Sequence, residues 1–307
     1  MQTFKIEPIV RDMSSDSYHG VEGTYSSSQL KDLLDDPEYF HKKYIAKSIQ
    51  RENLAAFDIG TYFHTAILEP HKLKDECAIF SGIRRGASWD KFREENSGKA
   101  IITESEMSQA LSLINAVKSS PIAMNRIKRG EPEVSSFIEL AVQNGTIFAP
   151  EYKKQLGPFG WETTKSKITK DAIKLIIKVR ADLLGSDFVL DLKSTNGNTK
   201  SSLLMRRKIS DFQYDLSAAL YLDIFSLTTG NLIKEFVWVF ASKDMGNCKS
   251  YLASEDNIRV GRAKWKKAIL TLAGCISSQW RFDDSMGVLE PMPYELEHLK
   301  LRAEDIL

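Results

Sequence analysis

Residues 173–193 constrain the fold of this 307-residue chain more than any other stretch. Two runs rich in β-branched and aliphatic residues, 173–184 and 188–193, flank Gly185-Ser186-Asp187, which is a hairpin pattern. Side chains alternate along a strand, so Asp191 and Lys193 share one face and Leu190 and Leu192 the other. With Ser186-Asp187 as the two-residue turn, Asp182 stands directly opposite Asp191 on the same face; another turn length staggers the pair. Opposed carboxylates repel unless something positive lies between them. A divalent cation fills that role, and hard oxygen ligands suit Mg²⁺ or Mn²⁺. Such an ion polarises a phosphodiester and acidifies a bound water, while a nearby lysine orients that water and offsets negative charge. The hairpin therefore points to phosphodiester hydrolysis, against the plainer reading of a solvated face with one Asp–Lys contact.

The flanking sequence reads as helices and strands that would cover such a hairpin. Ser26-Ser27-Ser28-Gln29 opens a helix carrying Leu30, Leu33 and Leu34, with Pro37 breaking the run. Residues 55–69 form a helix that Pro70 stops, 104–119 an amphipathic helix, and a short helix follows Pro121. Residues 81–99, rich in glycine and charge, read as an exposed loop. The first strand covers 134–142, and the polar stretch 144–171 is long enough to hold its own hairpin. Helices over 200–208 and 212–228, strands over 235–242 and 249–253, and a long helix over 256–280 complete the pattern. The expected class is α/β (a mixed α+β sheet) in a single domain spanning 25–307. It divides into a helical part 25–130, a core 131–285 and a tail 286–307 with Pro291 and Pro293. Residues 1–24 read as a loose or partner-docked arm.

Composition removes several alternatives. Cys77, Cys248 and Cys275 are too few and too scattered for a disulfide framework, a cysteine zinc site or an iron–sulfur cluster. No apolar run spans a bilayer and no signal-peptide pattern opens the chain, so a cytoplasmic protein, bacterial or in an infected host, without membrane contact is expected. The formal net charge of +1 announces no nucleic-acid partner by itself. Local basic groups at Arg84-Arg85, Lys153-Lys154, Arg206-Arg207-Lys208 and 264–267 offer phosphate contacts, or simply solvated faces.

Several motifs in order resemble the PD-(D/E)XK nuclease superfamily, and within it the phage and prophage RecE-type (exonuclease VIII-like) exodeoxyribonucleases. Ser26 to Leu30 looks like the opening motif, and Gly60-Thr61-Tyr62-Phe63-His64 is similar to the helix motif. Residues 131–136 resemble the start of the first core strand, and 179–182 with 191–195 resemble the catalytic strands. Residues 214–223 are similar to the helix over the site, and the likeness spans most of the chain. The resemblance implies a restriction-endonuclease-like core with an N-terminal helical region and two Mg²⁺ or Mn²⁺ ions per site, with no zinc. His64, Asp182, Asp191 and the Leu192 carbonyl would be ligands and Lys193 would act on the water. Tyr221 would touch DNA or buttress the lysine, Glu133 is a further candidate, and Gly60 would allow close helix packing. Ser217 stands where the family carries glutamine, with Gln213 one turn earlier; both are substrate-binding candidates, as are Arg84, Arg85, Arg206 and Arg207.

The implied activity is digestion of linear double-stranded DNA from its ends, 5′ to 3′, leaving 3′ single strands for an annealing partner. A homo-oligomeric ring, such as a tetramer, would enclose the DNA. Two other readings remain: a non-catalytic DNA-binding or assembly module, which Ser217 favours, and a structure-specific or single-strand endonuclease on the same fold.

Overall fold

The computed structural model describes residues 7–49 and 55–282. In chain order it contains β1 (Ile9–Val10), α1 (Ser15–Gly20), β2 (Thr24–Tyr25), α2 (Ser27–Asp35) and α3 (Pro37–Phe40), the last running into a π turn at His41–Ile45. Then come α4 (Ala55–Leu68), α5 (Leu73–Glu76), β3 (Cys77–Phe80), α6 (Ala87–Glu95), β4 (Ala100–Thr103), α7 (Glu104–Lys118) and α8 (Pro121–Ile127). Four strands follow, β5 (Gly130–Gln143), β6 (Thr146–Ala149), β7 (Lys154–Gly157) and β8 (Gly160–Thr163). The catalytic-strand candidates are β9 (Ile173–Gly185) and β10 (Phe188–Thr195), followed by α9 (Ser202–Asp211), α10 (Tyr214–Thr229), β11 (Glu235–Ser242), β12 (Cys248–Leu252) and α11 (Glu255–Ser277).

The main sheet runs β12-β11-β10-β9-β5-β6-β7-β8, with β1 added to β5 and β2 to β9. It is mixed: β10 lies antiparallel to β9 but parallel to β11. The parallel pair is possible because α9 and α10 carry the chain back across the sheet between the two strands. Residues 144–171 hold the β7–β8 hairpin, as their polarity and length require.

Two cores form on opposite faces of the sheet. On one, Leu30, Leu33, Leu220, Trp265 and Ile269 from α2, α10 and α11 meet Val189, Phe236, Trp238 and Phe240. On the other, Phe63, Ile67, Leu113 and Val117 from α4 and α7 meet Leu190, Leu192, Val237 and Val239. The period-two pattern of β10 thus sends Leu190 and Leu192 toward α4 and α7, leaving Asp191 and Lys193 on the α2–α10 side.

Two expectations change. Residues 7–24 are not a loose arm: Ile9 and Val10 pair with Ser136 and Ser135, Thr24 pairs with Ile176, and Tyr18 is buried against Phe137. Short strands paired with the stretches of β5 and β9 that β6 and β10 leave open anchor a segment too polar to announce itself. Residues 81–99 contain α6, whose Trp89 and Phe92, three residues apart, both pack on the Phe80 ring. Beside it β3 and β4 pair in a small parallel sheet that alternation alone does not reveal. The tail 286–307 and residues 1–6 lie outside the described residues. Among the described residues no helix is long and apolar enough to cross a membrane.

The α10–α11 contact is tight enough to make a sharp prediction. A Cβ built on Gly261 would lie 1.9 Å from the Asp215 carbonyl oxygen, whereas one on Gly60 would meet nothing within 4 Å. Gly60 therefore does not mediate close helix packing; its face is open. Gly261→Ala is expected to cost about 1–3 kcal/mol through overpacking. Gly60→Ala is expected to add about 1 kcal/mol through helix propensity. Urea unfolding of both variants checks the pair of signs.

Candidate active site

The site lies where β9 parts from β10. The hairpin pairs Val189 with Leu184 and Leu190 with Leu183, so one further step sets Asp182 level with Asp191. No ladder pair forms there. Instead the Asp182 carboxylate accepts the Leu192 amide at 2.7 Å, satisfying a backbone donor that the divergence would strand. On the other edge of β9, Pro132 pairs with Leu183 and Val134 with Ala181, so Glu133 stands level with Asp182. Glu133 also adopts a left-handed backbone, φ 52°, that interrupts regular pairing. Three carboxylates on three neighbouring strands thus converge on one break in the sheet.

Helix α4 completes the group. His64 projects from it, with Nδ1 3.6 Å from the Asp182 carboxylate. One ligand atom each from His64, Glu133 and Asp182 lies within 4.8 Å of the others. Asp191 turns aside to Lys193, Oδ1 to Nζ 2.7 Å. The structure therefore brings together His64, Asp182, Asp191 and Lys193, and it moves Glu133 from a marginal candidate into the centre. A left-handed glutamate in the first core strand is a backbone event that residue patterns do not report.

The electrostatics show a site short of positive charge. Burial, and then the charge of Asp182, push the Glu133 carboxyl up to about 7, against the pull of Arg180. Burial likewise raises Asp191, with Lys193 pulling the other way. Burial opposes the Lys193 charge as well, but Asp191, Asp182 and Tyr214 outweigh it and keep the ammonium protonated. An imidazole and neighbouring carboxylates that repel one another fit a divalent cation held by His64, Glu133 and Asp182, with Asp191 alongside.

Two antiparallel helices wall the site. From α2, Ser27 meets the Tyr221 hydroxyl at 3.4 Å, and Lys31 lies 5.2 Å from the Tyr214 ring centre. Farther along, Asp35 accepts from the Gln213 side chain at 2.8 Å. Lys193 lies 5.3 Å from the other partner of this wall, the same Tyr214 ring. Tyr221 is thus a buttress bonded to Ser27, with its hydroxyl pushed up to about 12 by burial. Gln213 is held at the far end by Asp35, because a left-handed residue, φ 48°, separates α9 from α10 and turns it away. Ser217 is partly exposed on the stripe between the two tyrosines. Sequence reasoning missed Lys31 and Tyr214; the one available signal was their helical spacing from Ser27 and Tyr221.

The expected DNA-contacting arginines divide. Arg84 is occupied internally, bonded to Asp58 and Glu106 at 2.9 Å each and to the Ile101 carbonyl. It ties β4 and α7 to α4 and is not a free phosphate contact. Arg85, Arg206 and Arg207 are exposed.

Glu133 yields a measurable consequence. Its folded-state pKa of about 7 lies above the ordinary value of 4.5, so the folded protein holds the extra proton between those pH values. Stability of the metal-free protein therefore falls as pH rises through that window. Glu133→Gln removes the penalty and is expected to stabilise the metal-free protein at pH 8 by about 1–3 kcal/mol, with little difference near pH 4. Urea unfolding in chelator at the two pH values decides this, and a pH-independent difference would refute it.

Residues 26–283 match the PDDEXK-like domain of unknown function DUF3799, and so include every residue of the site. The fold aligns with the crystal structure of a candidate exonuclease from Eubacterium rectale at a TM-score of 0.56 and 13% identity, covering 93% of this chain and 97% of that one. At that identity the likeness is one of fold. The structure of SSO0001 aligns at a TM-score of 0.26 and 14% identity, over 69% of this chain and 86% of that one, too weakly to carry an argument. No curated protein matches significantly. The motif resemblance and the mixed α/β fold agree with the domain match: the chain belongs to the PDDEXK-like DUF3799 family.

Proposed function

We propose that the protein is a metal-dependent deoxyribonuclease that digests linear double-stranded DNA from an end. The observation that carries this reading is the charged break in the sheet, where His64, Glu133 and Asp182 converge within 4.8 Å beside the Lys193–Asp191 pair. A divalent ion bound there, Mg²⁺ or Mn²⁺, would polarise the phosphodiester and acidify a water. Lys193, held protonated, donates to an oxygen and offsets developing negative charge; it does not serve as the base. Asp191 aims that ammonium. Asp182 keeps β9 and β10 apart by holding the Leu192 amide, which leaves the cleft open to a strand. Tyr214 and Tyr221 close the wall behind the lysine and limit water access.

Several finer features belong to the same proposal. Digestion runs 5′ to 3′ and leaves 3′ single strands for an annealing protein in recombination, as the RecE-type resemblance suggests. Two ions occupy each site, and the protomers form a ring through which DNA threads. The setting is the cytoplasm of a bacterium or infected host.

Wild type and Lys193→Ala are compared on linear and covalently closed duplex DNA, with Mg²⁺ and with chelator. Wild type is expected to degrade the linear substrate only with metal and to spare the circle. Lys193→Ala is expected to be slower by about 10²–10³-fold. Cutting of the circle would convert the reading to an endonuclease. Equal rates for the two proteins would sink the assignment of this site, and metal-independent binding without cleavage would favour a non-catalytic module. End-labelled substrate reads the polarity.

A further inference from the structure

The buried and half-buried cations around the site almost all have partners. Lys193 has Asp191 at 2.7 Å, Lys264 has Asp215 at 2.7 Å, and Arg262 has Asp223 at 2.7 Å. Arg180 bonds Glu133, and Lys178 donates to the Tyr18 carbonyl at 2.8 Å. Lys31 is different. Among the described residues it has neither an ion pair nor a hydrogen bond; its ammonium lies 5.2 Å from the centre of the Tyr214 ring. The same ring lies 5.3 Å from Lys193, so two ammonium groups share one aromatic wall of the cleft.

Geometry places Lys31 deliberately within α2. It lies four residues after Ser27, hence on the same helix face, and Ser27 meets Tyr221. The helix is held firmly: Ser26 and Gln29 form a capping box, and Leu30 and Leu33 are fully buried. A lysine here cannot swing away with its backbone. Its own burial, with Lys193 adding repulsion that Asp191 and Asp215 only partly offset, lowers its pKa to about 8. An unpaired cation beside a second cation is unfavourable in the free protein, and an anion entering the cleft would relieve it.

We propose that Lys31 is a phosphate-binding residue of this cleft, its ammonium contacting a non-bridging phosphate oxygen of the bound DNA strand next to Lys193. This deepens the nuclease reading and rests on it for the identity of the anion. The half-buried position suits the role, because the group is reachable from the cleft yet shielded enough for the contact to count. Lys193 is paired directly with Asp191, whereas Lys31 feels Asp191 and Asp215 only at longer range and has no carboxylate within ion-pair distance among the described residues. The pair divides the work: one ammonium is aimed by a carboxylate, and the other holds the strand.

The test uses the full chain, a labelled linear duplex, and the variants Lys31→Met and Lys31→Arg. Duplex affinity is measured across salt concentrations in Ca²⁺, cleavage is measured in Mg²⁺, and thermal stability is recorded for each protein. Lys31→Met is expected to weaken binding and to lower kcat/KM by about 10–100-fold. It should also flatten the log affinity against log salt slope by about one. Its Tm should be equal to or above wild type, since an unpaired charge is lost. Lys31→Arg should restore most activity. A structural role predicts the opposite pattern: lower Tm, an unchanged salt slope and no rescue by arginine; that result overturns the proposal. So does a Lys31→Met protein that matches wild type in slope and kcat/KM. If wild type binds the duplex with the expected slope change but never cleaves, the nuclease reading fails while the phosphate contact stands. If wild type does not bind the duplex at all, both fail.

Discussion

The crowding of negative charge at one break in a β-sheet organises the rest of this protein. Glu133, Asp182 and Asp191 stand level on β5, β9 and β10, where regular pairing would bring their carboxylates within repulsive range. The sheet responds by giving up ladder bonds: β9 and β10 part after Leu183 and Leu190, and Asp182 takes over the Leu192 amide. Burial then prevents water from dissipating the repulsion, so the Glu133 carboxyl rises toward neutrality. Such an arrangement is unfavourable without a counter-charge and would become favourable with a cation bound.

The surrounding elements keep that local weakness from spreading. The two cores on either face of the sheet bury β10 and β11 almost completely, so the strands bearing the site are rigid on both sides of the break. Across α10 and α11, Asp223 bonds both Arg262 and the Trp265 indole, and Asp215 bonds Lys264. These are fully partnered ion pairs, and they clamp the helix that carries Tyr214 and Tyr221. Residues 7–25 add a strand to each of β5 and β9 and bury Tyr18 over Lys178. Lys31, with neither an ion pair nor a hydrogen bond among the described residues, stands in contrast to these partnered charges.

Much of this was legible in residues alone. The β9–β10 hairpin, its two-residue turn and the pairing level of Asp182 with Asp191 follow from period-two alternation and turn chemistry, and the observed register agrees. Helices α4, α7 and α10 and strand β11 fall within a residue or two of their expected bounds, because each is a strongly periodic run closed by proline, glycine or a cap. The failures have physical causes. The two-residue strands β1 and β2 are too short to show any period. Helix α6 hides among charged residues, and only Trp89 and Phe92 mark its inner face. Arg84 looked like a surface cation because its partners, Asp58 and Glu106, lie 26 and 22 residues away.

Sequence by itself therefore determined the fold class, the family and the chemical types at the centre: a histidine on a helix, aspartates on a hairpin, and a lysine two residues after the second of them. These depend on local periodicity and on residue identity, which a linear string contains. Only the tertiary structure decided that Glu133 joins His64 and Asp182, that Gln213 is turned away toward Asp35, and that Lys31 shares the Tyr214 ring with Lys193. Each of those outcomes rests on a backbone conformation or a helix–helix register between distant segments. Such relations are set by how the cores pack around the sheet, and no local pattern encodes them.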